Sequence, residues 1–195
     1  MSAAAQQVKV VVLGDSLVAG FGLPAHEAFP AQLAQALKAK GRAVEIANAG
    51  VSGDTASGGL ARLDWSVPDG TDAVIVSLGA NDMLRGVAPN VTRDALTQIV
   101  QRLKARKIEV LLIGMRAAPN LGADYGQAFD AIYPQLAAAE HLVFYPFFLD
   151  GIAADRNLNQ RDGIHPTAAG IAAVVQRMMP QVEELLARVQ AKRSS

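Results

Sequence analysis

The chain has 195 residues, 51% of them hydrophobic and 18% charged, a composition that suits one packed domain and excludes a disordered tail or a fibrous repeat. Eighteen basic side chains balance eighteen acidic ones, so the basic excess of a nucleic-acid binder is missing. Cys is absent, which removes disulfides, thiolate metal sites and cysteine nucleophiles from consideration.

No run approaches the roughly 18 apolar residues of a spanning helix, so stable membrane insertion is not expected. Residues 1–7 carry no charged segment followed by an apolar one and do not read as a signal peptide. Their Ala run would suit the stump left by cleavage at a small residue. We expect these residues to form a flexible leader to a single domain spanning 1–195. Apolar runs at 8–13, 43–48, 72–78, 108–114 and 142–145 read as five strands. Most are nearly continuous in apolar character, as strands covered on both faces of a parallel sheet are. Between them, residues 27–40 repeat Phe29, Leu33, Ala36 and Leu37 at helical spacing and close at Gly41. A second helix is expected after Thr92, with Leu96, Ile99, Val100 and Leu103 on one face. A third follows Asp124, with Gln127 placed for a capping box. The last runs through 171–175 and resumes after Pro180 with Val182, Leu185, Leu186 and Val189. Alternating β and α units imply right-handed crossovers and a three-layer α/β/α sandwich.

The unusual loops all follow strands. Gly14-Asp15-Ser16-Leu17 comes after the first, the stretch 48–55 after the second, Gly79-Ala80-Asn81-Asp82 after the third, and Asp162-Gly163-Ile164-His165-Pro166 beyond the fifth. A parallel sheet brings them all to its carboxyl edge, where ligands bind in open α/β folds. Ser16 follows a tight turn that would expose its hydroxyl. A serine hydroxyl is a weak nucleophile without an adjacent base, and His165 can supply one. Asp162, three residues earlier, is close enough to hold the Nδ1–H of that ring, which completes the logic of a triad. The Gly-x-Ser-x-Gly elbow of α/β-hydrolases is missing. Acyl transfer also needs donors where an oxyanion develops, and the Ser16 and Gly53 N–H groups and the Asn81 amide are placed for that. Asp15 and Asp82, in glycine-containing turns, read as turn-bracing carboxylates, and His26 and His141 as surface or packing residues. The three His are scattered and no P-loop lysine is present, so no metal or cofactor is implied.

Gly14-Asp15-Ser16-Leu17, Gly53, Gly79-x-Asn81-Asp82 and Asp162-x-x-His165 resemble the four blocks of the SGNH hydrolases, the GDSL esterase/lipase family. The stretches 48–55, 59–63 and 131–134 are similar to its bacterial thioesterase I, lysophospholipase L1 and arylesterase branch. The resemblance covers the chain from Val8 to about Leu186. It implies a flavodoxin-like sandwich with five parallel strands and hydrolysis of carboxylic esters and thioesters. Ser16 would then be the nucleophile, Asp162 and His165 its activators, and Ser16, Gly53 and Asn81 the oxyanion hole. The branch is usually exported to the periplasm, and the same is implied here, with a cytoplasmic location as the alternative.

The acyl pocket is the least determined part. Met83, Leu84, Leu121 and Ile164, with Leu17, Phe147 and Phe148, could form an apolar groove for an acyl or aryl group. Arg116 could meet a phosphate or coenzyme A group, or only a neighbouring carboxylate. The expected function is therefore a serine esterase acting on small-molecule aryl or short to medium acyl esters, with thioesters and lysophospholipids as further substrates. The alternatives are an O-acetyl esterase acting on glycans, and a binding module that holds a carboxylate or lipid without turnover.

Overall fold

A computed structural model describes residues 7–194, so the expected leader lies outside the described residues apart from Gln7. The strands are β1 (Val8–Gly14), β2 (Val44–Gly50), β3 (Ala73–Ser77), β4 (Glu109–Ile113) and β5 (Val143–Tyr145). They pair in the order β2-β1-β3-β4-β5 with every neighbour parallel, and their limits fall within two residues of those read from the sequence. Val10–Leu13 of β1 and the whole of β3 are buried on both faces, which is why they read as unbroken apolar runs. β2 is an edge strand and keeps polar and exposed positions.

β1 leads into the short α1 (Ser16–Ala19) and then α2 (Phe29–Ala39). The return from β2 brings α3 (Ala56–Ala61) and α4 (Leu63–Ser66), and β3 runs into α5 (Ala80–Leu84) and α6 (Pro89–Ala105). α7 (Ala123–Asp130) and α8 (Ile132–Glu140) precede β5, and α9 (Ala168–Arg193) ends the fold. Right-handed crossovers place α2 and α9 together on one face of the sheet and α3, α6 and α8 on the other, which makes the α/β/α sandwich.

Three helix boundaries differ from the sequence reading. α6 begins at Pro89, ahead of Thr92, because proline fits the first helical position, where its missing N–H costs nothing. Thr92 instead lies buried in the first turn and donates its hydroxyl to Asp82 Oδ1 at 3.1 Å. α7 has no capping box: it starts at Ala123 after Gly122, and no side chain caps it. α9 runs unbroken through Pro180. Loss of one helical hydrogen bond there is outweighed by a single buried stripe, from Ile171 and Val174 through Met178 to Val182, Leu185 and Val189. Gly41 closes α2 as expected, with φ +73° and the Arg42 N–H donated back to the Leu37 carbonyl at 3.0 Å.

The strand order has one reversal. From β1 the chain goes to β2 on one side and then returns to β3 on the other, which opens a crevice at the carboxyl ends of β1 and β3. Gly14 is in register with Gly50 of β2 and Ser77 of β3, so the three following loops start side by side.

Arg62, the residue that ends α3, is buried and reaches into this edge. Its Nε donates to Asp54 Oδ2 at 2.7 Å, Nη1 to the Ala49 carbonyl and the Ser66 hydroxyl at 2.9 Å each, and Nη2 to the Gly14 carbonyl at 2.9 Å. One guanidinium thus ties the ends of β1 and β2 to the loop that carries Gly53. Replacing it by Met would leave a carboxylate and two carbonyls without their donor in a buried place. We expect Arg62→Met to destabilise the fold by about 3 kcal/mol or more in urea unfolding; a loss below about 1 kcal/mol would show that water replaces the guanidinium.

Candidate active site

The turn after β1 is fixed by its smallest residue. A Cβ on Gly14 would strike the Val18 side chain and the Ser77 carbonyl, so only glycine lets α1 fold back against the strand ends. Asp15 follows, buried, and its Oδ1 accepts the Leu17 N–H at 3.0 Å and caps α1. Ser16 is the first residue of that helix and remains partly accessible.

His165 approaches from a loop 149 positions away. Its Nε2 lies 2.8 Å from Ser16 Oγ and its Nδ1 2.7 Å from Asp162 Oδ2. Asp162 Oδ1 accepts the backbone N–H groups of Ile164 at 2.9 Å and His165 at 3.0 Å. With Nδ1–H donated to the carboxylate, Nε2 is left as the acceptor for the serine hydroxyl. The Phe21 ring lies against the imidazole, with centroids 4.6 Å apart.

Asn81 enters from the third strand. Gly79 adopts φ +115°, and a Cβ there would strike the Tyr133 hydroxyl, which donates to the Leu78 carbonyl at 3.0 Å and props the end of β3. The Asn81 amide nitrogen lies 2.9 Å from the Asp54 carbonyl and 3.4 Å from Asp15 Oδ2, so it bridges the loops that carry Gly53 and Ser16. Gly53 has φ +82°, and its carbonyl accepts from Arg85 Nη2 at 2.7 Å. Asp82 is fully buried and plays a structural part, tying two helices together: Oδ2 accepts the Ala56 N–H at the start of α3 at 2.8 Å and Oδ1 the Thr92 hydroxyl in the first turn of α6.

Ser16, Asn81 and His165 line one cleft of about 400 Å³. Leu17, Met83, Leu84, Met115, Pro119, Phe147 and Ile164 supply its apolar wall. Leu121 does not join them. It sits in the turn Pro119–Leu121 with its side chain against the core, and its neighbours Ala117, Ala118 and Pro119 face the cleft instead. Phe148 is likewise fully buried core, packed edge-on to Phe29. Arg116 lines the cleft, with its guanidinium 5.2 Å from the centre of the Phe147 ring.

Residues 12–173 match the GDSL-like Lipase/Acylhydrolase family. The chain belongs to that family. It is 38% identical over 185 residues to the esterase TesA of Pseudomonas aeruginosa, covering 94% of this chain and 91% of that one. It is also 38% identical over 178 residues to thioesterase 1/protease 1/lysophospholipase L1 of Escherichia coli K12, covering 91% and 84%. The crystal structure of AlinE4, a SGNH-hydrolase family esterase, superposes with a TM-score of 0.79 at 43% identity, covering 94% of this chain and 99% of that one.

In this member of the GDSL-like family, sequence reasoning missed Phe21, Arg62, Arg85 and Gln160. Phe21 and Gln160 touch the serine turn and the imidazole loop, whereas Arg62 and Arg85 hold the Gly53 loop. None lies in a motif with a chemical signature of its own. His141 takes a left-handed conformation where α8 ends, and His26 is exposed, so neither bears on the site.

Two carboxyls of the site are driven in opposite directions. The backbone N–H bonds from His165 and Ile164 hold Asp162 down to about 2, so it stays ionised through the working range. Burial pushes Asp15 up from 3.8 to about 6, against the opposing pull of the Leu17 N–H and His165. The folded protein therefore keeps the Asp15 proton in a window where the unfolded chain has released it, and this group makes the fold less stable as pH rises from about 4 to about 6. Asp15→Asn retains an oxygen for the Leu17 N–H and removes the ionisation. Urea unfolding at pH 4 and pH 7 is expected to show the variant gaining about 2–3 kcal/mol on the parent protein between them; parallel pH dependence would place the Asp15 ionisation at its ordinary value.

Proposed function

We propose that the protein is a serine esterase that works through an acyl-enzyme. The observation that carries this reading is the continuous hydrogen-bonded line from Ser16 Oγ through the His165 ring to Asp162, with steps of 2.8 and 2.7 Å. His165 Nε2 takes the Ser16 proton as Oγ attacks the carbonyl carbon, and Asp162 holds the resulting imidazolium. The oxyanion is met by the Ser16 and Gly53 N–H groups and the Asn81 amide. One Asn81 N–H is committed to the Asp54 carbonyl; the other makes only a long 3.4 Å contact to Asp15 and is the one offered to substrate. His165 then protonates the leaving alcohol or thiol and activates the water that releases the acid.

The apolar wall of the cleft favours short and medium acyl and aryl esters over the polar face of a sugar. Thioesters and lysophospholipids belong to the same reading, supported by the names of the similar proteins. Export to the periplasm is part of it too, and fractionation of cells that make the full-length protein tests it.

Ser16→Ala is expected to abolish covalent labelling by an organophosphonate ester, and labelling that persists would put the nucleophile elsewhere. Asn81→Ala is expected to lower kcat by about 10²–10³ with little change in KM. Across nitrophenyl esters of increasing length, each methylene that the cleft buries is expected to raise kcat/KM by about fourfold, the equivalent of about 0.8 kcal/mol. A flat series would show that the chain stays in water.

A further inference from the structure

Ser16 and His165 come from different parts of the fold. The serine is bolted to the end of β1, whereas the imidazole hangs from the connection between β5 and α9. Among the described residues, the hydrogen bonds that join positions 14–23 to positions 150–166 are the Ser16–His165 pair itself and one from the side-chain amide of Gln160. Gln160 Nε2 donates to the Phe21 carbonyl at 2.7 Å and to the Pro166 carbonyl at 3.0 Å. Its backbone N–H donates to the His165 carbonyl at 2.7 Å, beside the isolated bridge between Asn159 and Pro166. On the other side, the Phe21 N–H donates to the carbonyl of Ser16 at 3.1 Å. A short chain of hydrogen bonds therefore runs from the backbone of the serine, through Phe21 and Gln160, to the backbone of the histidine.

We infer that Gln160 is a positioning residue that sets the distance between the Ser16 hydroxyl and the His165 ring; the inference rests on the esterase reading of that pair. Two features show how closely the side chain is fitted. Gly22 adopts φ +74°, a conformation that favours glycine, and a Cβ there would push aside Gln160 Oε1, so a larger residue in this turn would disturb the amide. The Phe21 ring, whose own carbonyl the amide grips, lies on the imidazole with centroids 4.6 Å apart. The amide thereby sets both the height of the histidine backbone and the ring that limits the tilt of the imidazole. A carboxylate at this position would face two carbonyl oxygens without a proton to give, and an apolar side chain would leave both without this donor.

Proton transfer within a pair held at 2.8 Å is sensitive to small displacements, and a misplacement of about 1 Å costs up to 10²-fold in rate. Gln160→Met keeps the length of the side chain and removes its donors. With p-nitrophenyl butyrate, it is expected to lower kcat by about 10- to 100-fold while KM stays within about twofold, with Gln160→Glu behaving likewise. In protein carrying ¹⁵N-labelled histidine, the Nε2 resonance of His165 is expected to move toward that of a ring that has lost its Ser16 partner, while the Nδ1–H signal from the Asp162 bond persists. A Gln160→Met protein with kcat within twofold of the parent, or with a lowered kcat and unshifted His165 resonances, overturns the inference. If the parent protein is not labelled at Ser16 by the phosphonate, the esterase reading falls by itself, and the histidine spectra still decide whether Gln160 holds the ring.

Discussion

A parallel sheet ends in a row of carbonyls that the next strand does not satisfy, and in this molecule a buried guanidinium meets that demand. Arg62 gathers the carbonyls of Gly14 and Ala49 and the carboxylate of Asp54, so the ends of β1 and β2 cannot drift apart without breaking several bonds at once. Asp54 in turn presents its carbonyl to the amide of Asn81, which joins β3 to the same assembly. Such a group stabilises the fold only while all its partners are present, because a buried ion that loses one is costly. That interdependence makes the crevice rigid. Three proposed oxyanion donors, on the segments that follow three separate strands, share one framework.

The other buried charges extend the same logic. Asp82 holds the start of α3 and the first turn of α6, and Asp15 caps the helix that begins with Ser16. Neither carboxylate reaches the His165 ring by a hydrogen bond, although both stand next to motif residues. Asp162 has the opposite setting. It sits near the surface, takes two backbone N–H groups in addition to the imidazole, and stays charged at low pH for that reason. The division of labour is thus written in solvation: the buried carboxylates build, and the well-solvated one can hold an imidazolium.

The sheet, the serine turn and the Asp162–His165 pair were legible because each depends on local chemistry, and the resemblance to the SGNH hydrolases joined the last two across the chain. Unbroken Val and Ile runs mean strands covered on both sides, and a Gly-Asp turn before a serine means an exposed hydroxyl whatever lies around it. What stayed illegible depends on neighbours far along the chain. Proline at 180 reads as a break until the buried stripe on both sides of it is seen to be continuous. Leu121 reads as a wall of the cleft, since nothing local says that its turn packs it, half-buried, against the core and leaves it out of the cleft lining. Gln160 has no signature, because a glutamine amide becomes informative only once the two carbonyls it joins, at positions 21 and 166, are known to meet.

These differences in legibility follow a difference in construction. Ser16, Gly53 and Asn81 stand on loops that leave adjacent strands, where the register of β1 with β2 and β3 fixes their separations before any side chain contributes. His165 has no strand beneath it; its loop is held by an isolated bridge, a few turns and the amide of Gln160. The same loop supplies Gly163 and Ile164 to the apolar cleft. A change in this one segment therefore alters the imidazole and the wall of the cleft together and leaves the three other loops where the sheet puts them. The histidine loop is for that reason free of the sheet's register, whereas the strand-end loops are constrained by the buried charges that bind them to one another.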